Sequence, residues 1–199
     1  MESQLAILLP VAAVWLAAGV LADGLPRLRD TSALRRRTGW LLALALAGVA
    51  LVAAAAIGGL LSAGTAPVDQ AAAALTLAIG PAFVVAVCSV RRIRRLRAGA
   101  GAFETAPGTP APHGLRAAAA HPLVGLPLQV TALATVPAVI AAAGADLGAE
   151  PGVTGPAITV GALAVAAIGV RHALRHSRLA ERALPNAPRS ARATGSLHV

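Results

Sequence analysis

Lysine is absent from the chain. A Walker A phosphate loop, a Schiff-base amine and a Ser–Lys catalytic pair each need an ammonium group, so all three are excluded. Cysteine occurs once, at Cys88, inside an apolar block. No intrachain disulfide can form, the redox compartment is not legible from cysteine usage, and the thiol reads as a small packing group. Trp15, Trp40, Phe83 and Phe103 complete the set of tryptophans and phenylalanines. Four such rings are too few to stack on bases, so the net charge of +9 and pI near 11.8 do not describe a nucleic-acid surface, and no nucleic-acid partner is expected. The carboxylates are scattered among loops, with no pair suited to acid–base work. Neither a His-Glu-x-x-His pair nor a Gly-x-Ser-x-Gly elbow occurs. Gly99-Ala100-Gly101 has Glu104 where a dinucleotide fingerprint needs its third glycine. No catalytic, metal-ligating or cofactor-binding set is expected, and hence no enzyme.

What the chain has in excess is apolar length. Hydrophobic residues make up 57% of it and the mean hydropathy is +0.73, above the roughly 45–50% of soluble domains. A single soluble core cannot hide that much apolar surface and still leave a polar exterior. The excess falls in five blocks, 5–22, 39–61, 68–90, 122–144 and 153–170. The shortest, at 1.5 Å per residue, reaches about 27 Å against a hydrocarbon core of about 30 Å. With Asp69 placed at the membrane surface, no block carries a charge. The expected fold is all-α: a polytopic transmembrane bundle of five membrane-spanning helices forming one domain over 1–184.

The first block ends in Val20-Leu21-Ala22, which resembles a signal-peptide cleavage site, yet it begins Met1-Glu2-Ser3-Gln4 with no basic residue. A signal peptide carries its basic residues first, so a retained helix is the better reading. The arginines follow instead, at 27, 29 and 35–37. A second group, Arg91, Arg92, Arg94, Arg95, Arg97 and Arg116, follows the third block, and the rest follow the fifth. The segments between blocks two and three, and between four and five, hold no basic residue; they hold Asp69, Asp146 and Glu150. Under the positive-inside rule this partition predicts an outer N-terminus and a cytoplasmic C-terminus.

The inner loop over 98–121 is rich in Gly, Ala and Pro, as in Ala106-Pro107-Gly108-Thr109-Pro110, and reads as a flexible linker. The tail over 185–199 reads as disordered on the same ground. Blocks two–three and four–five each make a hairpin ending in an arginine-rich extension, with Val90-Arg91-Arg92-Ile93 and Val170-Arg171-His172-Ala173 in equivalent places. A duplicated hairpin accounts for this, and so does the charge rule alone. Small residues at every fourth position, Ala50-Ala54-Gly58, Ala78-Ala82-Ala86 and Ala157-Gly161, are candidate packing stripes.

Span four is the least ordinary. Pro127 and Pro137 fall inside it, and Pro137 removes the hydrogen bond to the Leu133 carbonyl and predicts a kink. Gln129, Thr131 and Thr135 add polar groups, the two threonines one turn apart. Many transporters build a midplane site from a broken helix with such groups. The plainer reading, which we prefer, is a kinked packing helix whose hydroxyls bond their own backbone. Pro81, after Gly80 in span three, marks a second hinge, so the candidate polar and kink face comprises Gln129, Thr131, Thr135, Pro137 and Pro81.

Charge is missing from all five blocks, which argues against proton relays, voltage sensors and most ion-coupled carriers. His121-Pro122 reads as an interfacial helix start. His172 and His176, four apart, have the spacing of two metal ligands. Arg171 and Arg175 would repel a cation, so the pair reads as a solvated basic face. Arg91, Arg92, Arg94, Arg95 and Arg97 are expected to contact anionic lipid headgroups on the cytoplasmic side, each contributing on the order of 1 kcal/mol. Ile93 and Leu96 are expected to dip into the interface beside them.

The expected function is that of a non-enzymatic accessory or assembly subunit acting by helix association, with a membrane-protein partner or as a homo-oligomer. The alternative is a transporter or channel for a neutral or lipophilic substrate, using the proline-kinked fourth helix. Arginine-only, alanine-rich usage fits a GC-rich bacterial genome, and the expected location is the plasma membrane.

Overall fold

A computed structural model describes residues 2–62, 64, 66–104, 106, 108–145 and 151–183. Among these residues there is no β-strand. The helices are α1 (Glu2–Gly24), α2 (Thr31–Leu61), α3 (Pro67–Ala74), α4 (Thr76–Val84), α5 (Val90–Ala102), α6 (His113–Ala119), α7 (Pro122–Ala142) and α8 (Pro151–Ala183). A 3-10 turn, Leu25–Arg27, follows α1, and a π-helical turn, Val85–Ser89, joins α4 to α5. Five stretches are long and apolar enough to cross a membrane: Ser3–Arg27, Thr31–Leu61, Thr76–Ala102, His113–Ala142 and Gly155–Ala183.

The number of spans is the one read from the sequence, but their ends differ. α2 begins at Thr31 and α8 runs to Ala183, because arginine is a good helix former and the helices continue past the apolar windows. Asp30 starts α2, accepting from the Ser32 backbone N–H (3.3 Å) and hydroxyl (2.7 Å). The Ser32 hydroxyl bond, above all, lowers the Asp30 carboxyl below its ordinary value. Asp69 joins α2 to α3, its Oδ2 accepting from the Ser62 hydroxyl and the Ala66 N–H, both at 2.8 Å. α7 ends on a Schellman motif: Gly144 takes φ +95°, Ala145 N–H donates to the Ile140 carbonyl and Gly144 N–H to that of Ala141.

The third block is not one regular helix. It breaks at Leu75, where the Thr76 hydroxyl donates to the Ala73 carbonyl. Beyond Pro81, which lacks an N–H, the ladder widens into the π turn over Val85–Ser89. That turn ends at Ser89, fully buried, whose hydroxyl donates to the Leu123 carbonyl of α7 at 2.8 Å. Leu123 is the residue four before Pro127, and Pro127 has no N–H to offer it. A hydroxyl from a neighbouring helix thus satisfies the carbonyl that the proline leaves free.

Four spans form the bundle, α4 and α5 together being the third: α1 packs along α2 and α7, α2 along α5, and α4 along α7. Trp15, Leu34, Leu41, Leu75, Ile93 and Leu128 are fully buried among them. α2 and α1 approach closely at Gly48, where a Cβ would stand 2.7 Å from the Trp15 ring. The packing stripe of α2 is therefore Ala45, Gly48, Val52 and Ala55, whereas Ala50 and Ala54 face outward. Ala78 and Ala82 of the second stripe are buried. α8 lies outside the bundle, against α6 and α7. The two hairpins are consequently not packed alike.

The arginine-bearing segments meet at one end. Arg35 pairs with Glu104 at 2.9 Å, and Arg116 Nε donates to the Pro26 carbonyl. The segment over 98–121, read as a flexible linker, contains α6 and is fastened to the α1–α2 connection. Thr31 N–H and hydroxyl both donate to the Thr109 carbonyl (3.0 Å), and Ala111 N–H donates to Arg29 O (2.7 Å). The sequence did not show this because the acceptors of the fastening are all backbone carbonyls. The tail over 185–199 lies outside the described residues. Arg91, Arg92, Arg94, Arg95 and Arg97 are exposed at this end. Ile93 and Leu96 do not dip into the interface as expected: both are buried in the bundle, on the inward face of an amphipathic turn that packs on α2.

Candidate functional site

α8 is joined to the bundle by polar side chains near its arginine-bearing end. Asp23, in the last turn of α1, forms ion pairs with Arg171 and Arg175, one turn apart on α8, and with Arg27 at 3.5 Å. One helical turn deeper, Gln129 of α7 bridges α1 to α8. Its Nε2 donates to the Gly19 carbonyl (3.2 Å), and its Oε1 lies 3.1 Å from His172 Nε2. The amide's orientation fixes the histidine's tautomer: an oxygen can only accept, so Nε2 of His172 carries the proton. Gly125 makes room for this ring, since a Cβ there would stand 2.3 Å from His172 Cε1. Further along, His176 Nδ1 donates to the Ala117 carbonyl (3.1 Å), and its ring lies 4.9 Å from that of His121. His121 itself caps α7, Nδ1 accepting from Leu123 N–H at 3.1 Å.

This overturns the reading of His172 and His176 as a solvated face. His172 is 5% exposed, because the i, i+4 spacing that places both rings on one side of α8 turns that side toward α6 and α7. Among the described residues no three His, Cys, Asp or Glu side chains gather as a metal would need.

The expected polar and kink face divides into three places. Gln129 belongs to the junction just described. Thr131 and Thr135 are buried, and their hydroxyls donate to the carbonyls of Pro127 and Ala132, within their own helix. α7 runs as one helix through both internal prolines. Pro81 and Pro137 line a common apolar crevice of about 550 Å³ between α4, α7 and α8, with Leu133, Ala157, Gly161 and Val165 among its walls.

A second crevice, about 410 Å³, lies on the other flank of α8, between α1 and α7. Asp23, Gln129 and Arg171 stand at one end of it; Leu16, Val20, Val136 and Ile168 form its apolar sides. Leu133 lines both crevices, so α8 lies across α7 with an open groove on either side.

Sequence reasoning missed Asp23, Gly19 and Gly125. Asp23 stands just beyond the first block, four residues before Arg27, and that spacing was a legible signal of an ion pair. Gly125 lies one turn before Gln129, which marked a small residue beside a polar one. Its partner on α8 had no such mark.

The arrangement defines the class of the chain: among the described residues it is all-helical, with five helices long and apolar enough to cross a membrane, four bundled and the fifth laid outside. No family model, curated protein or solved structure matches it.

Proposed function

We propose that this is a non-enzymatic, multi-pass accessory or assembly subunit of a bacterial plasma membrane, acting by helix association through α8. The observation that carries the reading is the burial of the spans. Only 6% of the apolar window of α8 is buried within the chain, against 28% to 44% for the other four. Helices in lipid associate through van der Waals packing, small residues and interhelical hydrogen bonds. α8 already spends its polar bonds on α1, α6 and α7, and leaves Ile158, Val160, Leu163 and Val170 facing outward. The hydroxyls of α7 bond their own backbone, which favours this reading over a polar transport pathway. The partner is another membrane protein or a second copy of the chain, and the arginine-bearing end lies in the cytoplasm against anionic headgroups.

The test is site-specific crosslinking in native membranes. A cysteine at Leu163 in a Cys88→Ser background should give one discrete adduct, whereas a cysteine at the equally exposed Phe83 of α4 should give none. Equal, diffuse crosslinking from both positions would mean that α8 faces only lipid, and the proposal would fail.

A further inference from the structure

We propose that the crevice between α1, α7 and α8 is a binding site for one anionic phospholipid of the arginine-bearing leaflet. The order of chemistry along it is the first argument. Arg171, Gln129 and Asp23 stand at one end, and Leu16, Val20, Val136 and Ile168 continue from them toward the middle of the spans. Seven residues separate Gln129 from Val136 on α7, and seven separate Asp23 from Leu16 on α1. Seven residues of helix amount to about 10 Å, which holds the first part of an acyl chain. A lipid has the same order from phosphate to chain, in the same direction with respect to the membrane.

Charge is the second argument. Asp23 brings one negative charge, and Arg27, Arg171 and Arg175 bring three positive ones. The junction therefore holds excess positive charge at the level where a headgroup would lie. Arg171, half-exposed and lining the crevice, is the guanidinium placed to contact phosphate oxygens. Gln129 and His172 have already engaged each other, so they fix the floor and leave the contact to Arg171. Exposure of Leu16, Val20 and Val136 keeps the side of the crevice open for entry from the bilayer. These features fit a phospholipid rather than free phosphate, since phosphate alone would leave the apolar length unused.

The test is native mass spectrometry of the full-length protein in mild detergent, titrated with phosphatidylglycerol or phosphatidylcholine. One phosphatidylglycerol should be retained in preference to phosphatidylcholine. Arg171→Gln should weaken that retention about fivefold, the worth of one headgroup-level arginine. Val136→Trp, which fills the apolar part and leaves the ion pairs in place, should lower retention of the same lipid. Asp23→Asn should raise it, because three guanidinium groups lose their internal counterion; a purely structural effect of losing the clamp would lower it. Equal retention of the two lipids, a Val136→Trp protein that behaves as wild type, or matching stabilisation by inorganic phosphate alone would each overturn the assignment.

Discussion

Gly125 has no side chain, and the His172 ring occupies the place where one would stand. Alanine there would put a methyl 2.3 Å from Cε1 of the ring, and the imidazole would have to leave its bond to Gln129. Overpacking and a lost buried hydrogen bond each cost about 1–3 kcal/mol, so Gly125→Ala should lower the melting temperature clearly. Adding His172→Ala to Gly125→Ala removes the clash. The double variant should be less destabilised than the sum of the two singles, as expected for residues in direct contact. Additive melting shifts would mean that the two do not touch. At this scale the sequence was least informative. Cys88 and the two threonines of α7 could be judged from their own neighbourhoods, but Asp23 and His172 acquire their roles only when α8 is laid against α1 and α7. No local pattern records that meeting.

Among the elements, α7 shows how a proline-bearing helix stays whole. Pro127 withholds an N–H from the Leu123 carbonyl, and Ser89, brought in by the π turn, donates to it instead. Ser89→Ala should therefore leave a buried carbonyl unsatisfied and cost about 1–3 kcal/mol. In a Pro127→Ala background the backbone donor returns, and the same serine change should cost much less. Melting temperatures of the four proteins decide this, and an equal cost in both backgrounds would sever Ser89 from the proline. The five spans themselves were legible, because a long charge-free block admits few alternatives to a membrane helix. Their ends were not, since arginine continues a helix beyond the apolar window. The break at Leu75 also escaped, and Pro81 marked a hinge in the third span without showing that the ladder would widen into a π turn beyond it.

For the molecule as a whole, the partition of arginines makes a prediction about orientation. Single cysteines in a Cys88→Ser background serve as reporters, one replacing Ala145 beyond α7 and one replacing Ser177 on the arginine-bearing end of α8. A membrane-impermeant maleimide should label the first in intact cells and the second only after permeabilisation. The reverse pattern would invert the orientation. That the arginine-rich segments gather at one end is visible in their mutual contacts, and the charge pattern anticipated it. Which helix stands outside the bundle was not anticipated, because α8 is as apolar as the rest and only packing sets it apart. Its attachment has a mechanical consequence. α8 is held by ion pairs and histidine bonds near Arg171, while toward Gly155 it rests on small residues and open grooves. It is a lever with its pivot at one membrane face. From Arg171 to Gly155 is about 24 Å of helix, so a tilt of about 5° at the pivot moves the far end by about 2 Å. Any tilt of α8 about its contacts with Asp23 would therefore be largest at its Gly155 end.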